Sequence, residues 1–418
     1  MLNILRRLHE KYKRRLDSQS EGQRRYYYEK GDYKKALSLL IAHSQKKIQQ
    51  ESGLPLEIKN EIKFLLVSPE ATHADYERVI KHADSLDFSL LPYQKWLSLS
   101  KLTTQNGCLR LASIFRRNAL MKVINIKSST GQGHEALFIK AIIDTNSRSM
   151  LTSSEFKNEN NAIFQYAFDI GCSPPRFPSS EKTDDILLNY LKNKSIAIVG
   201  PSPSNETQGE EIDKFDVVAR VSFNPQGQDT ENIYGSRTNL AYYGDHFSER
   251  ISKQRKIIEH LGKIEFVSLK STKSISKLQA IAPSLKNVRI FSGPKYLFFS
   301  GSPMMIQNIL HDVLSCQPSR VKLFNTTLYL DDQNHRADYY FGDFPQSQPL
   351  LERFKLYSGF AHHDFISNFN YVKNLYQNGF IELDKICESV ISLSTADYVC
   401  QLEKKYFQRT VPQLLNLL

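Results

Sequence analysis

Apolar and polar positions follow two different periods along this chain. From residue 1 to about 150, apolar side chains recur every three or four positions, which is the spacing of amphipathic helices. This spacing predicts helices over 3–16, 22–30, 33–50, 56–67, 73–84, 92–104, 108–124 and 133–145. We therefore expect residues 1–150 to form an all-α domain.

One segment of this half, YYYEKGDYKKALSLL (26–40), resembles the turn and second helix of a tetratricopeptide unit. No second copy follows at the 34-residue period of such repeats, so the domain is expected to be helical and only repeat-like. Helical arrays of this kind present docking surfaces, which makes a partner protein an expected ligand of this domain.

The pattern changes after a segment rich in proline and serine, GCSPPRFPSSEKTDD (171–185), which marks a linker over 151–183. Short apolar and β-branched runs then predict strands at 195–200, 215–222, 238–244, 263–270, 287–293 and 320–329. Helical patterns lie between several of them, at 184–193, 246–261, 273–282 and 303–315. Because the strands are apolar on both faces, residues 184–418 are expected to form an α/β domain around a largely parallel sheet.

Length and composition agree with two folded domains, since the chain has 418 residues, of which 40% are hydrophobic and 24% charged. The longest apolar runs fall far short of the roughly 20 residues that a membrane span needs, and no secretory signal pattern is present. Five cysteines without CxxC spacing favour neither a disulfide framework nor a zinc site. We expect a cytoplasmic protein.

The net charge of +11 is concentrated near the N-terminus, where residues 1–30 hold nine basic and four acidic side chains. Leu5, Leu8, Tyr12 and Leu16 recur at helical spacing between the basic residues. This pattern is typical of a helix that lies on an anionic membrane surface, and equally of a solvated helix that packs on its neighbour. No nucleic-acid-binding motif accompanies the charge, so nucleic acid is not an expected partner.

Ligands of open α/β sheets bind beyond the carboxyl ends of the strands, so the loops that follow the strands are candidate sites. After the first strand comes PSPSN (201–205), which lacks the glycine pattern of a dinucleotide or triphosphate loop. Ser202, Ser204 and Asn205 could bind a nucleoside or a single phosphate, or the loop could simply be a tight turn.

A second candidate is SGSPMMIQN (300–308), where Ser302 and Pro303 form a helix-start signal ahead of a buried apolar face. The positive end of that helix would lie beside Ser300 and Gly301, which makes an anion site possible there.

The order of six segments resembles the large, small, third and very small sialyl motifs of the sialyltransferase family. They are AIVG-PSPSN, QGEEIDKFDVVARVSFNP, YGSRTNLAYYG, SGSPMMIQNILHDVLSCQPSRVKLF, DYYF and HHDFISNFNYVKNLYQNGFI. The resemblance covers about 184–390. It implies a Rossmann-like variant of the A-type glycosyltransferase fold, a CMP-activated sugar acid as donor, and neither a cofactor nor a metal.

Transferred position by position, the family's pattern implies a set of donor-binding residues, and in two of the motifs the alignment leaves two alternative positions open. In the large motif the family's first Gly-Asn-Ser becomes Gly200-Pro201-Ser202, so one expected asparagine is lost, and its nucleotide-contacting asparagine falls on Ser222 or on Asn224. Asn205, a candidate from the loop's own residues, completes the expected donor-binding set on this side. The small motif's phosphate set falls on Ser300, Gly301 and Ser302, or one residue later on 301–303. The third motif's aromatic pair is Tyr339-Tyr340, and His335 is the nearest substitute for its histidine.

The very small motif implies a catalytic histidine at His363, which stands before Asp364 and 18 residues before Ile381. His362 is one residue out of register. The glutamate that often follows the family's histidine by five residues is Asn368 here. A histidine suits the removal of a hydroxyl proton, because imidazole titrates near neutral pH.

The resemblance thus implies an inverting, metal-independent transfer of sialic acid or Kdo from a CMP-activated donor to a saccharide acceptor, in the synthesis of capsule or lipopolysaccharide. Animal members of the family link the large and small motifs by a disulfide. Cys316 could supply one half of that disulfide, but Ile196 occupies the position of the other cysteine. The missing cysteine favours a bacterial-type enzyme in a reducing cytoplasm. An alternative is a non-catalytic scaffold whose degenerate transferase domain only holds nucleotide or glycan.

Overall fold

The protein is described by a computed structural model. It describes residues 22–24, 26–27, 30–126, 135–145, 181–223, 230–244, 259–270, 272–281, 285, 287–291, 293–330, 359–406 and 410–415. Contacts divide the chain into two units. We call Met1–Ser128, Ser347–His362 and Val399–Leu418 the helical unit, and Ser129–Gln346 with His363–Tyr398 the sheet unit.

From residue 30 to 126, where the chain is described without a gap, the helical unit has five long helices, and their bounds agree with the predicted ones to within two residues. They are α1 (Tyr33–Gln49), α2 (Leu56–Val67), α3 (His73–Asp84), α4 (Tyr93–Gln105) and α5 (Leu109–Ile126). The predicted helix over 3–16 and part of that over 22–30 lie outside the described residues. Helix α3 begins at a capping box, in which Thr72 and Asp75 satisfy each other's backbone N–H groups. Trp96 stacks on Phe115 in the core, with ring centroids 5.7 Å apart.

The sheet unit is built on seven parallel strands, which confirms the α/β class. They are β1 (Ser195–Val199), β2 (Val217–Val221), β3 (Leu240–Tyr243), β4 (Phe266–Leu269), β5 (Val288–Ile290), β6 (Arg320–Phe324) and β7 (Glu382–Leu383). Their order is β5-β4-β3-β2-β1-β6-β7, and every neighbouring pair is parallel. The central strands are buried along their length, as their two-sided apolar pattern predicts.

The helices of the sheet unit connect or flank these strands. They are α6 (Glu135–Thr145), α7 (Glu181–Leu191), α8 (Gly209–Asp213), α9 (Glu231–Tyr234), α10 (Thr272–Ile281), α11 (Met305–Leu314), α12 (Phe365–Gln377) and α13 (Lys385–Ile391). Two further helices follow, α14 (Thr395–Tyr406) and α15 (Val411–Leu415). None of the described helices is long and apolar enough to span a membrane.

A buried polar network anchors α11 to the sheet. Arg289 on β5 donates two hydrogen bonds to Asp312 on α11, at 2.7 and 3.0 Å, and a third to Asp184 at 2.7 Å. Tyr242 on β3 donates its hydroxyl hydrogen to the same aspartate at 2.7 Å. Burial alone would lower the pKa of Arg289, but the facing carboxylate of Asp312 raises it above its usual value, so the guanidinium stays charged. The network thus holds the C-terminal half of α11, which contains Asp312, against the sheet.

Candidate functional site

The strand order reverses between β1 and β6, because β2 to β5 extend the sheet on one side of β1 and β6 and β7 on the other. In open parallel sheets such a reversal opens a crevice at the carboxyl ends of the two strands, where ligands bind. The loops after β1, β2 and β6 therefore lie side by side at one edge. Helices α11 and α12 each lead into a following strand, so their N-terminal ends face the same edge.

The loops after β1 and β6 are hydrogen-bonded to each other across this point. The Gly200 N–H donates to the Phe324 carbonyl at 2.8 Å, and the Ser202 N–H donates to the Asn325 carbonyl at 3.1 Å. A Cβ at residue 200 would lie 2.1 Å from the Thr326 hydroxyl, so this close approach requires glycine. Gly200 therefore allows the loops after β1 and β6 to approach each other closely at their junction.

The Ser202 side chain belongs to the same junction. Its hydroxyl lies 2.9 Å from the Thr327 hydroxyl and accepts the Thr327 N–H at 3.1 Å, in a fully buried position. Ser202 was predicted to contact a donor, and in this structure its hydroxyl bonds within the protein. Asn205, further along the same loop, is exposed.

Ser222 directly follows β2 in a left-handed conformation with a φ of 47°, and its N–H donates to the Tyr242 carbonyl at 2.8 Å. The side chain is half-buried at the carboxyl edge of the sheet. Asn224, the alternative register, lies outside the described residues, as do Tyr340, its neighbour Tyr339 and His335.

The segment 300–302 and His363 are brought into direct contact, although 61 residues separate Ser302 from His363. The His363 Nδ1 lies 3.0 Å from the Ser302 carbonyl oxygen. Because a carbonyl only accepts, Nδ1 carries the proton, and Nε2 holds the lone pair of the neutral ring. In a neutral ring this contact therefore favours the Nδ1–H tautomer of His363.

Gly301 makes this contact possible. Its φ is 74°, and an added Cβ would lie 2.6 Å from both the Asp364 Cβ and the His363 carbonyl carbon. Asp364 has a φ of 46° and caps α12 by accepting the Ser367 N–H at 3.2 Å. The backbone of 363–364 is thus held between the Gly301 loop and the first turn of α12, whereas His362 is exposed.

The start of α11 differs from the prediction. The Ser302-Pro303 pair predicts a helix that begins at residue 303, but α11 begins at Met305 with Met304 as its N-cap residue. Among the described residues no side chain caps the first turn of α11, and Asn368 on α12 accepts the N–H of the N-cap residue Met304 at 2.8 Å. The Ser302 carbonyl is thereby released from helix formation and accepts from His363 instead.

Tyr398 links the two parts of the site. Its hydroxyl donates to the Leu328 carbonyl at 2.8 Å, just beyond the Ser202–Thr327 junction. Its ring stacks on Phe369 of α12 with centroids 4.1 Å apart. The loop after β6 is thereby packed against α12, the helix that begins two residues after His363.

Several residues near this edge hold unusual backbone conformations. Positive φ values of 46–74° occur at Ser222, Asn325, Leu328, Tyr329 and Asp364. For residues as bulky as leucine and tyrosine this conformation costs energy, and such strain clusters at functional sites. The loop after β6, with Asn325 and Thr327, did not enter the predicted site; its position after a strand of a parallel sheet was the available signal.

The block that resembles the family most closely, 209–220, has a structural role here. The Arg220 guanidinium is buried and donates to the carbonyls of Tyr234, Gly235 and Arg237 at 2.7–3.1 Å. Asp213 accepts the N–H groups of Ser236 and Arg237. Although burial opposes it, these hydrogen bonds lower the pKa of Asp213. The block thus shapes the turn that leads into β3.

The thiols near the site are poor nucleophiles. Cys387 is buried and accepts the Thr326 N–H at 3.2 Å, and burial raises the pKa of its thiol well above the usual value. Burial also raises the pKa of Cys316 to about 12. Since the thiolate is the reactive form, these two thiols are poorly suited to act as nucleophiles.

The helical unit has a cavity of about 570 Å³ of its own, lined by residues of α3, α5, α14 and α15. Arg110 in its wall donates to Glu403 at 2.6–2.7 Å and to Glu77, so its charge is already matched by two carboxylates. In the same unit the ligand atoms of Glu57, Glu61 and His82 lie within 4.8 Å of one another. The Arg78 guanidinium lies 3.4 Å from Glu61, which offsets the negative charge that a cation would need.

Comparison with models of known protein families finds no match to the chain. Comparison with curated proteins finds no significant match either.

Proposed function

We propose that the chain is a glycosyltransferase that moves a sugar acid, sialic acid or Kdo, from its CMP-activated donor to a saccharide hydroxyl. The observation that carries this proposal is the contact between His363 and Ser302. It joins the two segments in which the resemblance places the base and the phosphate site, and it lies on the carboxyl side of a parallel sheet. That edge is where α/β proteins bind nucleotides.

In the proposed reaction, His363 Nε2 takes the proton of the acceptor hydroxyl, whose oxygen attacks the anomeric carbon of the sugar acid. The bond from that carbon to the CMP phosphate breaks on the opposite face, so the anomeric configuration inverts. The Nδ1–H bond to Ser302 keeps the ring oriented during proton transfer. CMP leaves as a phosphate monoester, and no metal takes part.

The phosphate of the donor is proposed to lie beside Ser300 and Gly301, at the positive end of the α11 dipole. Ser222 and Asn205 extend from neighbouring loops at the carboxyl edge and are the proposed contacts to the nucleoside. Ser202 supports this site indirectly, because its hydroxyl bonds to Thr327.

The wider setting is also a proposal. A CMP-activated sugar acid used for capsule or lipopolysaccharide synthesis places the enzyme in the cytoplasm, at the inner face of the membrane. The basic segment 1–30 would bind the anionic lipid surface, and the helical unit would bind a partner protein.

The test is to incubate the protein with CMP-sialic acid and with CMP-Kdo in separate reactions that contain a saccharide acceptor, and to measure CMP release. One donor should be consumed, and CMP should raise the melting temperature more than UMP or NAD does. Stabilisation by CMP without turnover of either donor would favour the scaffold. Equal stabilisation by all three nucleotides would contradict the donor site.

A further inference from the structure

Asn368 lies in the first turn of α12 with its side chain buried. Its amide oxygen accepts the Met304 N–H at 2.8 Å. Its amide nitrogen donates to the carbonyls of Ser302 at 3.2 Å and Asp364 at 3.1 Å, and also to that of His363. One side chain thus bonds to both segments of the candidate site.

The surroundings of Asn368 suit an amide and no other group of that size. One end of the side chain faces an N–H donor, and the other end faces three carbonyl oxygens. A carboxylate could accept from Met304, but its second oxygen would lie against three acceptors in a buried position, which is strongly unfavourable. The orientation of the amide is determined for the same reason.

The Ser302 carbonyl is the shared element, because it accepts from the Asn368 amide and from His363 Nδ1. The direction of this carbonyl decides which imidazole nitrogen carries the proton. If the carbonyl turned away, Nδ1 would lose its acceptor, and the ring could move its proton to Nε2. An Nε2–H ring cannot take a proton from a hydroxyl at that atom.

We propose that Asn368 is a positioning residue that aims the Ser302 carbonyl at His363 and so holds the imidazole in its Nδ1–H form. Its catalytic consequence rests on the proposed function, whereas its effect on the tautomer does not. The two statements can therefore fail separately.

The test compares Asn368→Asp with Asn374→Asp. Asn374 lies on the same helix, is equally buried and also donates its amide hydrogen to a backbone carbonyl, that of Ile143. Both variants lose a buried amide donor, but only Asn368 bonds to Ser302. The first readout is the ¹⁵N spectrum of the protein labelled in its histidines, with the His363 signals assigned by their loss in His363→Ala.

Wild-type protein and Asn374→Asp should show His363 protonated on Nδ1, and Asn368→Asp should lose that pattern. With a CMP-sugar donor, Asn368→Asp should lower kcat by about 10–100-fold with little change in the donor KM, because the orientation of a base affects the chemical step and not donor binding. The control Asn374→Asp should keep kcat within about threefold of the wild type.

Two outcomes would overturn the inference. The first is an unchanged His363 spectrum in Asn368→Asp. The second is a wild-type ring with its proton on Nε2, a measurement that holds even if Asn368→Asp fails to fold. A shifted tautomer in a protein that never releases CMP would keep the inference and contradict the proposed function.

Discussion

Replacing Asp312 by alanine tests the buried network that holds α11 against the sheet. The change removes the carboxylate that receives two hydrogen bonds from Arg289 and one from Tyr242. The side chains of Arg289 and Asp312 are only 5% and 6% exposed, so water cannot replace the lost partner. Arg289 keeps its bond to Asp184, which is 26% exposed.

Breaking a buried ion pair by removing one partner costs about 3–5 kcal/mol, since it leaves an uncompensated charge in the interior. The remaining bond to Asp184 favours the lower end of that range. For a domain of roughly this size, each kcal/mol lowers the melting temperature by about 2–4 °C. Asp312→Ala is therefore expected to lower the melting temperature of the sheet unit by roughly 6–12 °C.

The matched control is the ion pair between Arg320 and Glu382, which is also doubly hydrogen-bonded, at 2.7–2.8 Å, but about half exposed. Glu382→Ala should cost no more than about 1 kcal/mol, because solvent screens exposed pairs. Calorimetry of both variants gives the comparison. The double variant Arg289→Met with Asp312→Leu should recover part of the loss, since neither of the two most buried charges is left alone, although Asp184 and the Tyr242 hydroxyl each lose a partner. Equal destabilisation by Asp312→Ala and Glu382→Ala would refute this reasoning.

Three further predictions concern the site and its surroundings. Gly301→Ala should lower turnover more than tenfold, because the added Cβ would strike the backbone of 363–364. The control Gly379→Ala has a similar φ of 76° but no atom within 4 Å of its added Cβ, so it should cost only about 1–2 kcal/mol of stability. Equal activity of the two variants would refute the close contact. Burial lowers the pKa of His311 to about 4, against the opposing effect of Asp312, so the unfolded chain binds a proton below about pH 6.5 and the folded chain does not. The stability that the neutral histidine contributes is therefore full above about pH 6.5 and falls by about 3 kcal/mol as the pH falls to 4. Urea titrations of His311→Gln should lack this loss, and a pH profile equal to that of the wild type would contradict the prediction. EDTA should leave CMP release unchanged, and a loss that manganese restores would show that the reaction needs a metal.

The hydrophobic pattern predicted most of the long elements, because local signals and tertiary packing agree there. Helices were predicted over 56–67 and 73–84, and α2 and α3 have those bounds. The six predicted strands are all present in the sheet, but each is shorter than its apolar run, and β6 (Arg320–Phe324) covers only the first half of the predicted 320–329. A parallel sheet buries both faces, so its strands give a continuous apolar signal that a single sequence reveals.

Short elements and tertiary caps were not predictable in the same way. Strand β7 has two residues, Glu382–Leu383, and pairs only because it lies beside β6, so it has no periodicity of its own. Helix α11 begins two residues after the start that Ser302-Pro303 predicts, and the N–H of its N-cap residue Met304 bonds to Asn368, more than 60 positions away. A sequence pattern reports neighbours along the chain, whereas these features depend on neighbours in space.

The candidate site shows the same division. The order of the motifs predicted that the segment 300–302 and His363 belong to one site, and the structure places them in contact. The bonding of Ser202 to Thr327 depends on which strand lies next to β1. That neighbour is β6, and the two bonded residues, Ser202 and Thr327, are 125 positions apart in the sequence. No local sequence pattern reveals such a pairing.

The central claim is that His363 is the base of a CMP-dependent transfer, and the most direct test compares His363→Ala with His362→Ala. The two histidines are adjacent, but only His363 bonds to Ser302 through Nδ1, while His362 is exposed. With the donor that the wild-type protein consumes, CMP release by His363→Ala should fall by about 10²–10⁴-fold, the usual effect of removing a positioned base, with CMP binding retained. His362→Ala should stay within about threefold of wild type. Equal losses in the two variants, or full activity of His363→Ala, would contradict the account.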